Sequence, residues 1–218
     1  MQARLFAAAL AALIAAMASV LGASGIAAGT TESENQRSIR LAEALFKTTN
    51  PKAAYDRLSP ADRESAMRAL RPDPTQLSLT TSYTPAPQSS PTNAAVPSAL
   101  TAVTTAKKCW SVYKKWEQNS SAGNTLYTYW MGLKWCGQSG KVSNVNVYTR
   151  GGETATPGWR YMGHGGSGAN NVGWEVRRYV QEKFQFGLNG WDVIVANRCG
   201  QIRGGATGLY STRQNCDL

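Results

Sequence analysis

Histidine occurs once in these 218 residues, at His164, and cysteine only four times. A single histidine leaves no His pair for a metal centre. The cysteines, Cys109, Cys136, Cys199 and Cys216, contain no CxxC spacing, so a zinc finger or ribbon has no ligand set here. Neither a metal nor a cofactor is expected. The first 108 residues lack cysteine and tryptophan altogether, because all four Cys and all seven Trp lie at Cys109 or beyond. Acidic residues are sparse as well: 13 Asp and Glu stand against 23 Lys and Arg, a formal charge of +10. No block of five or more basic residues occurs, which argues against specific nucleic-acid binding. The dispersed positive charge fits either plain solubility or contact with anionic polymers, acidic glycans or phospholipid surfaces.

The chain opens Met1-Gln2-Ala3-Arg4 and then runs apolar and Ala-rich from Leu5 to Leu21, ending in small residues at Gly22–Ala28. One positive charge before an apolar stretch and a small-residue site reads as a secretory signal peptide over 1–27, cleaved near Ala27. An uncleaved anchor competes, but no basic cluster follows the run, so no stable membrane insertion is expected once the signal is removed. Residues 28–71 read as a small helical segment. Ile39, Leu41, Ala42, Leu45 and Phe46 recur with helical spacing, and Asn50-Pro51 and Ser59-Pro60 are start signals of the N-cap-then-proline kind. Residues 72–108, rich in Pro, Ser, Thr and Ala, read as a disordered linker.

From Cys109 to Leu218 the signals are those of strands: aromatic and β-branched residues alternate with polar ones between Gly, Asn and Ser clusters. Strands are expected at 109–118, 125–136, 142–149, 158–164, 172–181, 183–188, 191–197, 200–203 and 209–214. The expected fold is mainly β, an antiparallel β-sandwich or small barrel with two disulfides. Folding the first hairpin about Ala122-Gly123 pairs residues whose numbers sum to 245. Trp110 then faces Trp135, Val112 faces Leu133, and Trp116 faces Tyr129, giving one apolar face. The same register sets Cys109 opposite Cys136, whereas a one-residue slip would scramble both faces. Cys199 and Cys216 are likewise symmetric about the Gly-rich turn at Thr207-Gly208. The expected bridges are therefore Cys109–Cys136 and Cys199–Cys216, each closing a loop that would stabilise by roughly 3 kcal/mol in the chain-entropy model.

Chemistry is harder to read. Gly165-Gly166-Ser167-Gly168 resembles a nucleophile elbow, but strands flank it on both sides where a strand and a helix are needed, so a glycine loop is the expectation. The acids Glu117, Glu153, Glu175, Glu182, Asp192 and Asp217 show no spacing that would pair two carboxylates for glycoside hydrolysis. No catalytic residue is assigned. Trp110, Trp116, Trp135, Trp174 and Trp191 have inward parity. Trp130 falls on the outer face beside Lys115, with Tyr113 and Lys134 nearby, and an exposed aromatic among cations suits sugar rings or acidic glycans. The candidate ligand-binding residues are thus Trp130, Lys115, Tyr113 and Lys134, unless the helices cover Trp130.

The stretch Leu133-Lys134-Trp135-Cys136-Gly137, the step Gly140-Lys141-Val142-Ser143-Asn144-Val145, Gly158-Trp159-Arg160-Tyr161 and Phe184-Gln185-Phe186-Gly187 together resemble a group of secreted β-rich proteins of high-GC Gram-positive bacteria. The resemblance covers about the last 110 residues. It implies a secreted β-sandwich and no particular activity. The leading expectation is a secreted, non-enzymatic binding module for cell-envelope or extracellular anionic or glycan surfaces, extracellular or associated with the cell wall. The alternatives are a secreted glycan hydrolase and a secreted protein inhibitor presenting a rigid loop at 151–157 or 164–171.

Overall fold

The computed structural model describes residues 32–85, 106–188 and 191–218, without the side chains of 191–193. The expected signal peptide lies outside these residues, and so does the stretch 86–105 of the expected linker. The described residues from Ser33 onward form one compact unit.

Three short helices come first: α1 (Glu34–Phe46), α2 (Pro51–Arg57) and α3 (Pro60–Arg68). Each starts where the chain supplies an acceptor for the orphan amides of a first turn. Ser33 and Gln36 form a reciprocal capping box on α1. Asn50 and Ser59 cap α2 and α3, each followed by a proline whose missing N–H costs nothing at that position. Salt bridges Arg37–Asp62 and Arg68–Glu34 tie α1 to α3. Ser59 and then Arg37 donate hydrogen bonds to Asp62 and hold its carboxyl below the usual range.

Two four-stranded antiparallel sheets follow, each a meander in chain order. The first contains β1 (Pro72–Pro85), β2 (Lys108–Ser120), β3 (Thr125–Gln138) and β4 (Lys141–Thr154). The second contains β5 (Trp159–Asn171), β6 (Glu175–Leu188), β7 (Trp191–Gly205) and β8 (Tyr210–Arg213). The β2–β3 register is the one that sums to 245 from Lys108↔Gly137 through Gln118↔Tyr127, and a shift then leads into the turn. Both disulfides pair as expected, Cys109–Cys136 and Cys199–Cys216. At the β3–β4 turn, Ser139 (φ 49°) and Gly140 (φ 74°) both take left-handed backbone, which a two-residue I′ hairpin requires.

Four expectations need correction. Pro72–Pro85 is a strand and not a linker: β1 pairs with β2 from Leu77↔Gln118 to Pro85↔Trp110, so the sheet begins well before Cys109. The breaks expected near 182 and 198–199 do not occur, because β6 and β7 run through them. The candidate inhibitor loop 164–171 lies within β5, and 151–154 within β4. Trp174, read as core from strand parity, stands 61% exposed, because β6 starts only at Glu175 and Trp174 belongs to the turn before it.

The core fills the space between the sheets. Trp110, Val112 and Trp116 from β2, with Tyr127, Tyr129, Met131, Leu133 and Trp135 from β3, meet Val176, Val180, Phe184 and Phe186 from β6 and Ile202 from β7. Tyr127 stacks on Phe184 with ring centroids 4.3 Å apart, and Trp116 stacks on Tyr129 at 5.2 Å. Two glycines of β7 make room for indoles from the other sheet. A Cβ at Gly200 would come within 2.4 Å of Trp116, and one at Gly204 within 2.5 Å of Trp135. Trp135 Nε1 also donates to the Gly205 carbonyl at 3.0 Å, which satisfies the indole N–H while its ring is buried. The helices dock at the end of the sandwich that holds the β2–β3 turn. There Phe46 packs edge-on against Phe186, Trp159 Nε1 donates to the Leu70 carbonyl at 3.1 Å, and Asn124 Nδ2 donates to the Ala69 carbonyl at 3.0 Å.

Candidate functional site

The outward side chains of β1 to β4 make a polar and aromatic face. Register places Ser82 beside Tyr113 and Thr84 beside Ser111 on the β1–β2 side. It then sets Ser111 opposite Lys134, Tyr113 opposite Gly132 and Lys115 opposite Trp130. All four candidate ligand residues therefore share this face, but they do not form one site. Lys115 Nζ donates to Glu153 Oε1 at 3.0 Å, and Thr128 Oγ1 donates to the same oxygen at 2.9 Å. The hydrogen bond to Glu153 raises the Lys115 ammonium above its ordinary value, and Lys115 and Thr128 lower the Glu153 carboxyl. Burial raises the Tyr113 phenol. Trp130 is half-buried and lies along β4, where a Cβ at residue 151 would come within 2.8 Å of its ring. A glycine of the neighbouring strand lets it lie flat.

Lys134 alone of the four lines the groove on this face. That groove, of about 610 Å³, is bordered by Thr84, Ser111, Lys134, Asn144, Asn146 and Tyr148, and the Cys109–Cys136 bridge contributes to its floor. Two irregularities of β4 shape it. The register shifts between Gly132↔Thr149 and Leu133↔Val147, which leaves Tyr148 as the extra residue. Its ring lies across Gly132, where a Cβ would come within 2.4 Å of it. A second shift, between Lys134↔Asn146 and Cys136↔Ser143, contains Asn144 in left-handed backbone at φ 51°. Bulges re-aim side chains in this way, and here they turn two amides and a phenol toward one hollow. Lys134 Nζ sits 4.8 Å from the centroid of the Tyr148 ring, a cation–π contact. The Tyr148 and asparagine contributions were missed in the sequence because strict alternation along 142–149 hides a bulge. Asn144 and Asn146 in a strand otherwise rich in valine were the available signal.

A second polar cluster runs from the β4 and β5 edges, where Arg150, Tyr161 and His164 are exposed, inward to one buried carboxylate on β6. Glu182 is fully buried and accepts a hydrogen bond from Tyr161 Oη at 2.5 Å. His164 Nδ1 lies 3.6 Å from its other oxygen, and Arg150 Nη1 lies 3.0 Å from His164 Nε2. Burial first, then the bond to the Glu182 carboxylate, pushes the Tyr161 phenol up to about 12. This cluster links β4, β5 and β6 from exposed Arg150 to buried Glu182. Among the described residues, Glu175 pairs with Arg177 at 2.7 Å, Glu117 accepts from Thr125, and Asp217 in the tail accepts from Asn215. Among the described residues no group of three or more His, Cys, Asp or Glu side chains is arranged to hold a metal ion.

The fold and this face define a class, a disulfide-clasped antiparallel β-sandwich with a polar and aromatic groove on one outer sheet. Comparison with protein-family models, curated proteins and solved structures finds no match to the chain. Its two disulfides are of the kind that forms and persists in oxidising compartments. No helix among the described residues is long and apolar enough to cross a membrane.

Proposed function

We propose that this protein is a secreted, non-enzymatic binding module that holds an anionic glycan in the groove between β2, β3 and β4. The observation that carries this reading is the Lys134–Tyr148 pair at the border of a hollow with two asparagines. A pyranose presents a C–H face to an aromatic ring and hydroxyls to amides. An acidic sugar adds a carboxylate for the ammonium, and Asn144, Asn146, Ser111 and Thr84 offer hydrogen-bonding groups around the ring. The excess of Lys and Arg over the whole chain would draw an acidic polymer toward it.

The test is affinity electrophoresis or column retention on a polyuronate and on the same polymer with its carboxyl groups reduced to alcohols. Stronger retention on the acidic polymer, weakened about fivefold or more by Lys134→Gln and by Tyr148→Ala, is the expected result. Absence of retention, or retention unchanged in both variants, would overturn the reading.

A further inference from the structure

Large apolar side chains stand in solvent at the end of the sandwich remote from the helices. Leu209 is 79% exposed, Trp174 61% and Val172 41%. They come from two turns, β5–β6 and β7–β8, and the backbone binds these turns together. Ala206 N donates to the Trp174 carbonyl at 2.9 Å, and Gly205 N donates to the Leu209 carbonyl at 2.7 Å. The β3–β4 turn joins the same end, since Val142 N donates to the Gly173 carbonyl at 2.7 Å. These tips are therefore fixed by hydrogen bonds across three hairpins, and their exposure is built into the fold. Burying so much apolar side chain would be favourable, and among the described residues these side chains stay exposed.

Charge at this end has one sign in excess. Lys107 immediately precedes β2, Lys108 opens it, Lys141 opens β4 beside the turn, and all three are exposed. Arg203 borders a hollow of about 390 Å³ with Trp174, Leu209 and Tyr210. Glu175 borders it too, but its carboxylate is engaged by Arg177 at 2.7 Å. We propose that this end docks on an anionic lipid bilayer. Trp174 and Leu209 enter the headgroup layer, and Lys107, Lys108 and Lys141 face the lipid phosphates. Tryptophan favours that interface, and lysines near an anionic leaflet are drawn to it. The contact is shallow and made by turns braced by these backbone hydrogen bonds, which limits the polar backbone brought toward hydrocarbon. This surface is separate from the groove on the outer face of the first sheet.

The experiment uses the full chain with vesicles of zwitterionic lipid alone or mixed with phosphatidylglycerol, the acyl chains carrying bromine as a contact quencher of indole fluorescence. Residues 1–108 hold no tryptophan, so the apolar lead does not report. With anionic vesicles the wild-type emission falls, the fall is largely absent in Trp174→Phe, and high salt suppresses it. Leu209→Ser weakens the vesicle affinity read from the same titration by about tenfold. The proposal is overturned if the wild type shows no quenching, if Trp174→Phe is quenched as strongly, or if zwitterionic vesicles quench as well as anionic ones.

Discussion

Lys114 shows how one residue can sit against the pattern of its strand. It occupies an inward position of β2 between Val112 and Trp116 and is only 6% exposed. Its stem follows the apolar face while Nζ reaches Thr81 Oγ1 on β1 at 2.5 Å. Burial pushes its ammonium below the ordinary lysine value. The folded chain therefore releases this proton at a lower pH than the unfolded chain does. Between those two values the unfolded state holds more protons, so stability rises with pH there, and below both the full penalty of a buried charge applies. Lys114→Met, which keeps the volume and removes the charge, should stabilise by roughly 1 kcal/mol at neutral pH. Urea denaturation at pH 7 and near pH 10.5 checks this. The gain should shrink at the higher pH, and a gain that grows with pH would contradict the assignment.

The same scale shows what could be read from letters and what could not. Alternation places Trp110, Trp116 and Trp135 in the core, and they are buried. Trp174 has the same parity but stands in solvent, because parity holds only inside a strand and the turn ends one residue later. Trp130 has outward parity yet does not stand proud, because the space it fills exists only where glycine is its cross-strand neighbour at 151. Sequence parity names a face; exposure depends on who sits opposite.

At the level of elements, the β2–β3 hairpin was legible to the residue because two constraints, an apolar face and a cysteine pair, demanded one register. β1 was not. Leu77, Leu79 and Tyr83 do alternate with Gln, Ser and Thr, but the strand is exposed along most of its length and offers little apolar contrast. Its place comes from backbone pairing with β2, which composition does not report. β8, only four residues long, relies on a clasp: Cys199–Cys216 joins the tail beyond β8 to the middle of β7. Replacing both cysteines with alanine should cost about 3 kcal/mol by the loop-closure account for a 17-residue separation. Guanidinium denaturation measures this. A cost near zero would mean that β8 and the tail hold without the bond.

Across the whole molecule the two ends differ in kind. One is capped by helices that bury Trp159 and supply its indole with an acceptor at Leu70; the other presents bare apolar turns. The helical segment is thus part of the fold's core, with Ala66, Met67, Ala69 and Leu70 all buried. A chain beginning at Pro72 should lose its cooperative thermal transition or show a midpoint at least several degrees lower, since it strips apolar cover from Trp159 and Phe186. Differential scanning calorimetry of the truncated and full chains decides this. An unchanged midpoint would reduce the helices to an ornament.

The Cys199–Cys216 bond also has a mechanical meaning. Tension applied at Leu218 does not have to pass through the four residues of β8. It enters through the disulfide at Cys199, part-way along β7, a strand held on its other side by β6 from Glu175↔Gly205 to Leu188↔Trp191. A short edge strand would peel away one hydrogen bond at a time. A load delivered to an interior strand must instead displace a long paired interface at once. A module fixed to a surface at one end and pulled from its tail therefore resists force through its second sheet as a whole.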